Sequence, residues 1–286
     1  MNLAALLDLL DLEELDVNLY RGTNPEEERD RVFGGQVLAQ ALVAARRTVD
    51  AEREPHSFHA YFLRPGDPRI PILYQVDRIR DGKSFTTRRV VAIQHGEAIL
   101  NMSASFQIHE PGFEHQAPMP EAPPPEELPG DAELAERFRD QAPPGREDDL
   151  GWFDREQPVE QRYADPINWF EPEVMEPRQR LWLRASGELP DDPSLHAIVL
   201  AYASDYSLLD AATMPHGITY SDASMQIASL DHAMWFHRPF RADEWLLYVS
   251  DSPSTSNSRG FARGSIYDRA GRLIASVTQE GLLRKR

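Results

Sequence analysis

The most constraining feature of this chain is a repetition. An Ala/Leu-rich and nearly uncharged run, Phe33 to Ala45, is followed by strand-like stretches near His56–Leu63, Ile70–Ile79, Ser84–Gln94 and Ala98–Ile108. Turn signals Pro65-Gly66-Asp67-Pro68, Asp81-Gly82 and His95-Gly96 separate them. The same order returns later. Leu195 to Ala212 supplies a second apolar helix, and strands are predicted near Gln226–Arg238, Trp245–Asp251, Arg259–Tyr267 and Leu273–Leu283. Phe62-Leu63-Arg64-Pro65 resembles Trp235-Phe236-His237-Arg238-Pro239, the two prolines lying 174 residues apart, and the turn residues Gly96 and Gly271 lie 175 apart. A duplicated unit accounts for both displacements.

A helix apolar nearly all round cannot lie on the surface of an open sheet, because every face needs cover. An antiparallel meander after it implies a sheet that curls about the helix, which is a hot-dog. The predicted class is therefore α+β: two tandem hot-dog units, each a central helix wrapped by a curved antiparallel sheet, pairing edge to edge with the ligand between them. Nine prolines between Pro111 and Gly145, mixed with acidic residues, mark a linker. The expected organisation is an N-terminal hot-dog over 1–110, a Pro-rich acidic linker over 111–150, and a C-terminal hot-dog over 151–286.

Bulk properties remove several classes of function. A net charge of −17 disfavours nucleic acid and anionic membranes as partners. No apolar run approaches the roughly 20 residues needed to span a bilayer, so membrane insertion is not expected. The absence of cysteine excludes disulfides, thiolate catalysis and cysteine-ligated zinc. The apolar start, Met1 to Leu15, lacks a basic leader and carries Asp8, Asp11, Glu13 and Glu14, which suits an amphipathic surface helix and leaves cytoplasmic residence as the default. No Gly-x-Ser-x-Gly elbow, Walker loop, dinucleotide fingerprint or His-Glu-x-x-His is present. His59, His232 and His237 lack metal-ligand spacing and read as structural; neither metal nor cofactor is expected.

Several runs carry a family resemblance: Val32-Phe33-Gly34-Gly35-Gln36, His56 through Gly66 (HSFHAYFLRPG), Tyr202-Ala203-Ser204-Asp205, Gln226 through His237 (QIASLDHAMWFH), and Thr278-Gln279-Glu280-Gly281. The chain resembles the type II acyl-CoA thioesterases, the TesB family, over nearly its whole length outside the connector. The resemblance implies a double hot-dog and hydrolysis of fatty acyl-CoA by water without a covalent intermediate, coenzyme A entering as part of the substrate. It also implies further association, a homo-oligomer built as a dimer of double hot-dogs. Carried over by position, the family's catalytic Asp, hydroxyl and Gln fall on Asp205, Ser229 and Gln279. Ser stands where the best-known bacterial member has Thr, which keeps the hydroxyl but drops the methyl that restricts its rotamer.

Thioester hydrolysis needs a positioned water, a base and donors for the developing oxyanion, and these three side chains can supply them. Each also has a bland reading: Asp205 as a kink cap or ion-pair partner, Ser229 and Gln279 as ordinary strand polars. Gly34 and Gly35 open a helix whose N–H groups could meet an oxyanion or phosphate, or could form only a tight entry turn. Among Arg78, Arg80, Lys83, Arg88 and Arg89, Lys83 and Arg88 are the candidates for coenzyme A phosphates, against a solvated hairpin edge. Tyr61, Phe62, Trp235 and Phe236 are candidate borders of an acyl channel. Two other activities stay open at this level: a hot-dog hydratase or dehydratase of enoyl or hydroxyacyl thioesters, and a non-catalytic acyl-CoA-binding module.

Overall fold

The computed structural model describes residues 1–25, 30–139, 142, 155–166, 168–220 and 222–286. Its N-terminal elements are α1 (Leu3–Leu10), β1 (Glu13–Asp16), β2 (Leu19–Gly22), α2 (Gly34–Arg46), β3 (Arg53–Phe62), β4 (Ile72–Asp81), β5 (Phe85–Gln94) and β6 (Glu97–Ile108). After α3 (Asp131–Arg139) come β7 (Val159–Tyr163), β8 (Arg178–Ala185), α4 (Pro193–Ala203), α5 (Asp210–Thr213), β9 (Met225–Ser229), β10 (Asp231–Phe236), β11 (Leu246–Ser256), β12 (Arg259–Asp268) and β13 (Leu273–Lys285).

All the described strands join one antiparallel sheet in the order β1-β2-β4-β5-β6-β3-β10-β13-β12-β11-β8-β7, with β9 added on β13. The double hot-dog expected from the repetition is the observed fold. Helix α2 is buried from Gly35 to Ala45, as its apolar composition requires, and its two interior glutamines are satisfied. Gln40 donates to the Leu9 and Thr23 carbonyls and accepts from Tyr74 Oη. The other central helix, α4, starts where Asp192 accepts from Ser194 N–H and Pro193 occupies the first turn, and it packs against α2.

The halves meet where β3 pairs antiparallel with β10, and in that ladder His59 stands opposite Ala233. Those residues are 174 apart in the chain, the displacement already seen between Pro65 and Pro239. A residue facing its own repeat equivalent lies on a two-fold axis, so the duplication has become an internal pseudo-symmetric dimer. The Gly96 and Gly271 turns match as well, with φ of 76° and 80°.

Two expectations need correction. The single strand predicted at Gln226–Arg238 is broken at Leu230 into β9 and β10, and the helix predicted over Leu195 to Ala212 ends at Ala203. The proline-rich connector lies in part outside the described residues (140, 141 and 143–150). Its first portion packs on the outer face of the C-terminal strands, where Trp182 Nε1 donates to Pro123 O and Gln116 bonds Gly271 and Leu273 backbone. Met119, Ala122 and Leu128 cover the aromatic cluster of Trp182, Trp245 and Tyr267. Proline suits such a cover because an extended strap without N–H groups leaves few donors to bury.

Candidate active site

Helix α4 ends with Ser204 as its C-cap, so Asp205 follows the helix directly. The Asp205 carboxylate faces the N-terminus of α2 and accepts from the Gly35 N–H. An acidic group there complements the positive end of the helix dipole, and Phe33 at the N-cap provides no side-chain acceptor of its own. The approach depends on glycine: a Cβ on Gly34 would stand 2.6 Å from Asp205 Oδ2, and one on Gly35 would stand 2.4 Å from the Tyr202 carbonyl oxygen.

Ser229 closes β9 opposite Gly281 of β13, and Gln279 lies two residues earlier on β13. At this point the outer edge of β13 changes partner, pairing with β10 as far as Thr278 and with β9 from Gly281 onward. The gap is filled by Leu230 N–H donating to Glu280 O and by Asp231 Oδ1 accepting from Glu280 N–H. The break in the predicted strand thus re-aims Ser229 towards Gln279. The Gln279 amide nitrogen donates to Asp205 Oδ1 and to Ser229 Oγ, both at 2.7 Å. Its two hydrogens are thereby used, and the Ser229 hydroxyl gives its own hydrogen to Asp205.

The three side chains grouped by resemblance are therefore together. Asp205 and Ser229 border a cavity of about 700 Å³, with Gln279 buried behind them. The wall draws on both halves: Val32, Phe33, Phe62 and Ile99 from the first, Tyr206 and Tyr220 from the second. Burial pushes the Asp205 carboxyl up to about 6, against the lowering effect of its bonds from Gln279, Gly35 and Ser229 and of nearby Arg31.

Arg88 and Lys83 are not placed to bind a ligand in this cavity. Arg88 is 1% exposed and donates to Thr48 Oγ1, to the carbonyls of Thr48, Arg80 and Thr87, and to Asp81. Its guanidinium ties the turn after α2 to the β4–β5 hairpin and has no free face for a phosphate. Lys83 is exposed at the hairpin tip, away from the cavity lining. Arg88→Ala should therefore cost roughly 2–4 kcal/mol of stability, since several buried carbonyls lose their donor, and leave KM unchanged. Denaturant unfolding with steady-state kinetics on the same variant checks both halves of that expectation.

The cations that do border the cavity are Arg31 and Arg64. Arg31 donates to Ile227 O at 2.9 Å and Arg64 pairs with Glu97 at 3.1 Å. Sequence reasoning passed over both because they are isolated charges in connecting segments, although Arg31 directly precedes the Val32-Phe33-Gly34-Gly35-Gln36 run. Of the proposed channel aromatics only Phe62 lines the cavity. Tyr61 is 60% exposed, Trp235 stacks edge-on with His59, and Phe236 packs on Phe58 and Phe240.

A second acid, Asp210 at the start of α5, also lines the cavity, and its enclosure raises its carboxyl to about 7. A folded-state value raised above the unfolded one means that ionisation opposes folding. The penalty is absent below about pH 4, grows as pH rises, and levels off above pH 7. Asp210→Asn is thus expected to stabilise the protein by on the order of 2–4 kcal/mol at pH 8 and hardly at all at pH 4. Equal unfolding midpoints for variant and wild type at pH 8 would contradict this.

The fold and the polar trio define a double hot-dog with one acid, one hydroxyl and one amide converging at the wall of a cavity shared by its halves. A family model described as acyl-CoA thioesterase matches residues 151–282, and one described as acyl-CoA thioesterase N-terminal domain matches residues 25–107. Acyl-coenzyme A thioesterase 8 of Mus musculus is 42% identical over 284 residues, covering 96% of this chain and 88% of the relative. Acyl-CoA thioesterase 2 of Haemophilus influenzae is 38% identical over 98% of this chain and 96% of its own. The crystal structure of acyl-CoA thioesterase II TesB2 from Mycobacterium marinum superposes with a TM-score of 0.79 at 44% identity, covering 98% of each chain. This chain belongs to the acyl-CoA thioesterase family.

Proposed function

We propose that the protein hydrolyses fatty acyl-CoA to free acid and coenzyme A by direct attack of water, with Asp205, Ser229 and Gln279 as the catalytic set. The observation that carries this reading is the Gln279 amide bridging Asp205 and Ser229 at 2.7 Å each beside the cavity. A carboxyl near 6 is mostly ionised at neutral pH yet basic enough to take a proton from water. The water oxygen bonds to the thioester carbonyl carbon as its proton passes to Asp205. As Asp205 takes up the proton, Ser229 can turn its hydroxyl hydrogen from the carboxylate to the carbonyl oxygen, where charge develops. Collapse of the tetrahedral intermediate breaks the carbon–sulfur bond, and the proton held by Asp205 leaves with the coenzyme A thiolate.

Arg31 and Arg64 are the cationic groups through which an acidic protein would meet a polyanionic substrate at this cavity. The hydratase or dehydratase reading requires a group that moves a proton at carbon. His232, the histidine nearest the trio, is fully buried and does not line the cavity, which gives that reading no acid–base partner for Asp205. No helix among the described residues is long and apolar enough to cross a membrane. Cytoplasmic residence and a dimer of double hot-dogs belong to this proposal.

The test is turnover of saturated acyl-CoA in water enriched in oxygen-18. Direct attack predicts stoichiometric thiol release and one labelled oxygen in the acid in a single turnover, with no acylated protein in the quenched reaction. Trapped acyl-protein, or hydration of an enoyl-CoA without thiol release, would overturn it.

A further inference from the structure

Gln279 can hold Asp205 and Ser229 only while its amide keeps one of two orientations. A half-turn about its last bond would put an acceptor oxygen against a carboxylate, so something must fix the amide from its other end. Two buried polar atoms lack a hydrogen bond of ordinary geometry among the described residues, Gln279 Oε1, an acceptor, and His232 Nδ1, and the His232 ring lies within interaction range of the Gln279 side chain. The imidazole is 0% exposed, stacks on Phe58 at 5.9 Å between ring centres, and has Nδ1 3.8 Å from Asp205 Oδ1 and Nε2 2.9 Å from Ser204 Oγ.

The protons decide between two arrangements. Ser204 has one hydroxyl hydrogen, and Oγ lies 2.9 Å from both the Ala201 carbonyl and His232 Nε2. If that hydrogen goes to Ala201, His232 carries its proton on Nε2. Its Nδ1 lone pair then faces a carboxylate, and the Gln279 oxygen stays unpartnered. If Ser204 donates to Nε2, the ring carries its proton on Nδ1, and that N–H is the donor the Gln279 oxygen lacks. The second arrangement satisfies two buried atoms that are costly to leave alone, and surrenders at most one hydroxyl–carbonyl bond. Burial holds the ring well below its ordinary titration range, to about 3, so it stays neutral and carries only one ring proton through the working pH range.

We infer that His232 is a positioning residue of the hydrolytic site: as the neutral Nδ1–H tautomer, fixed by Ser204, it locks the Gln279 amide in the orientation that holds Asp205 and Ser229. This rests on the function proposed above. The chain of donors runs Ser204 to His232 to Gln279 to Asp205 and Ser229, and its first members never touch substrate. Adjacency in sequence disguises the role, because His232 sits on β10 beyond the Leu230 break while Ser229 lies on β9 before it.

The test uses full-length protein with His232→Leu, His232→Asn, Gln279→Ala and the double variant His232→Leu/Gln279→Ala, assayed by thiol release alongside wild type and Asp205→Asn. His232→Leu should lower kcat by about 10- to 100-fold with KM changed less than about twofold, the scale for losing orientation of a catalytic group. His232→Asn, whose amide N–H occupies nearly the place of Nδ1–H, should recover most of the loss. The double variant should be no slower than Gln279→Ala alone, because His232 acts only through that amide. Nitrogen-15 NMR of the imidazole, which needs no activity, should show the proton on Nδ1 in wild type. A proton on Nε2, or losses that add fully in the double variant, would overturn the inference. Failure of wild type itself to release thiol would instead remove the proposed function, and the tautomer measurement would still stand as a test of the lock.

Discussion

Asp205→Asn should lower kcat by about two to four orders of magnitude, the usual scale for removing a general base, while the protein becomes more stable. The two effects share one cause. The carboxyl is enclosed and held near 6, so each ionised copy is a charge kept from water for the sake of reactivity. Because the folded-state value lies above the unfolded 3.8, ionisation opposes folding at neutral pH by on the order of 2–3 kcal/mol, and an asparagine is free of that cost. Unfolding midpoints at pH 7.5 should therefore rise in the variant as turnover falls. In wild type, kcat should drop about tenfold per pH unit below pH 6, as the base takes up its proton. A variant that lost activity together with stability would mean that Asp205 is a structural ion, and the proposed chemistry would have no base.

Gly34→Ala and Gly35→Ala are expected to fail in different ways although the residues are adjacent. At position 34 the new methyl meets the Asp205 carboxylate at 2.6 Å and the Phe62 ring at 3.0 Å, both ends of side chains. The carboxylate can yield by several tenths of an ångström, so the fold should survive with kcat reduced about 10²-fold, since small displacements of a reacting group are costly. At position 35 the obstacle is the Tyr202 carbonyl at 2.4 Å, which is backbone of α4 and cannot rotate aside. The two central helices must part, and stability should fall by roughly 1–3 kcal/mol or more. Thermal unfolding and kinetics on both variants separate these outcomes; equal stability of the two would show that the helices are not in the contact described.

Much of the architecture was legible because it rests on periodicity. Strand β5 begins and ends 174 residues before β12, and β3 meets β10 about an axis with that same displacement. Alternation and turn glycines such as Gly96 and Gly271 act over a few residues, so they survive reading one residue at a time. Strands β1, β2, β7 and β8 were not assigned, and the first three are too short to show an alternation that could be detected. Arg88 was misplaced for a related reason. A charge on a strand reads as exposed, yet here bulk water is replaced by fixed carbonyls of Thr48 just beyond α2, of Arg80 on β4 and of Thr87 on its own strand.

What the sequence by itself determined was the duplicated unit, its buried helices and, through resemblance, three residue identities. Tertiary structure alone decided where those residues meet. Between its central helix and the junction strand the first half needs only the stretch from Arg46 to Arg53, while the second runs from Ala203 to Asp231. Asp205 and Ser229 both lie in that longer segment, so the site belongs to what broke the repeat. Gln279 reaches them from β13, 74 residues beyond Asp205, and the α2 N-terminus that caps Asp205 comes from the other half. A hydrogen bond acts over about 3 Å whatever the chain separation, and only the curling of one continuous sheet around two helices brings such distant groups within it.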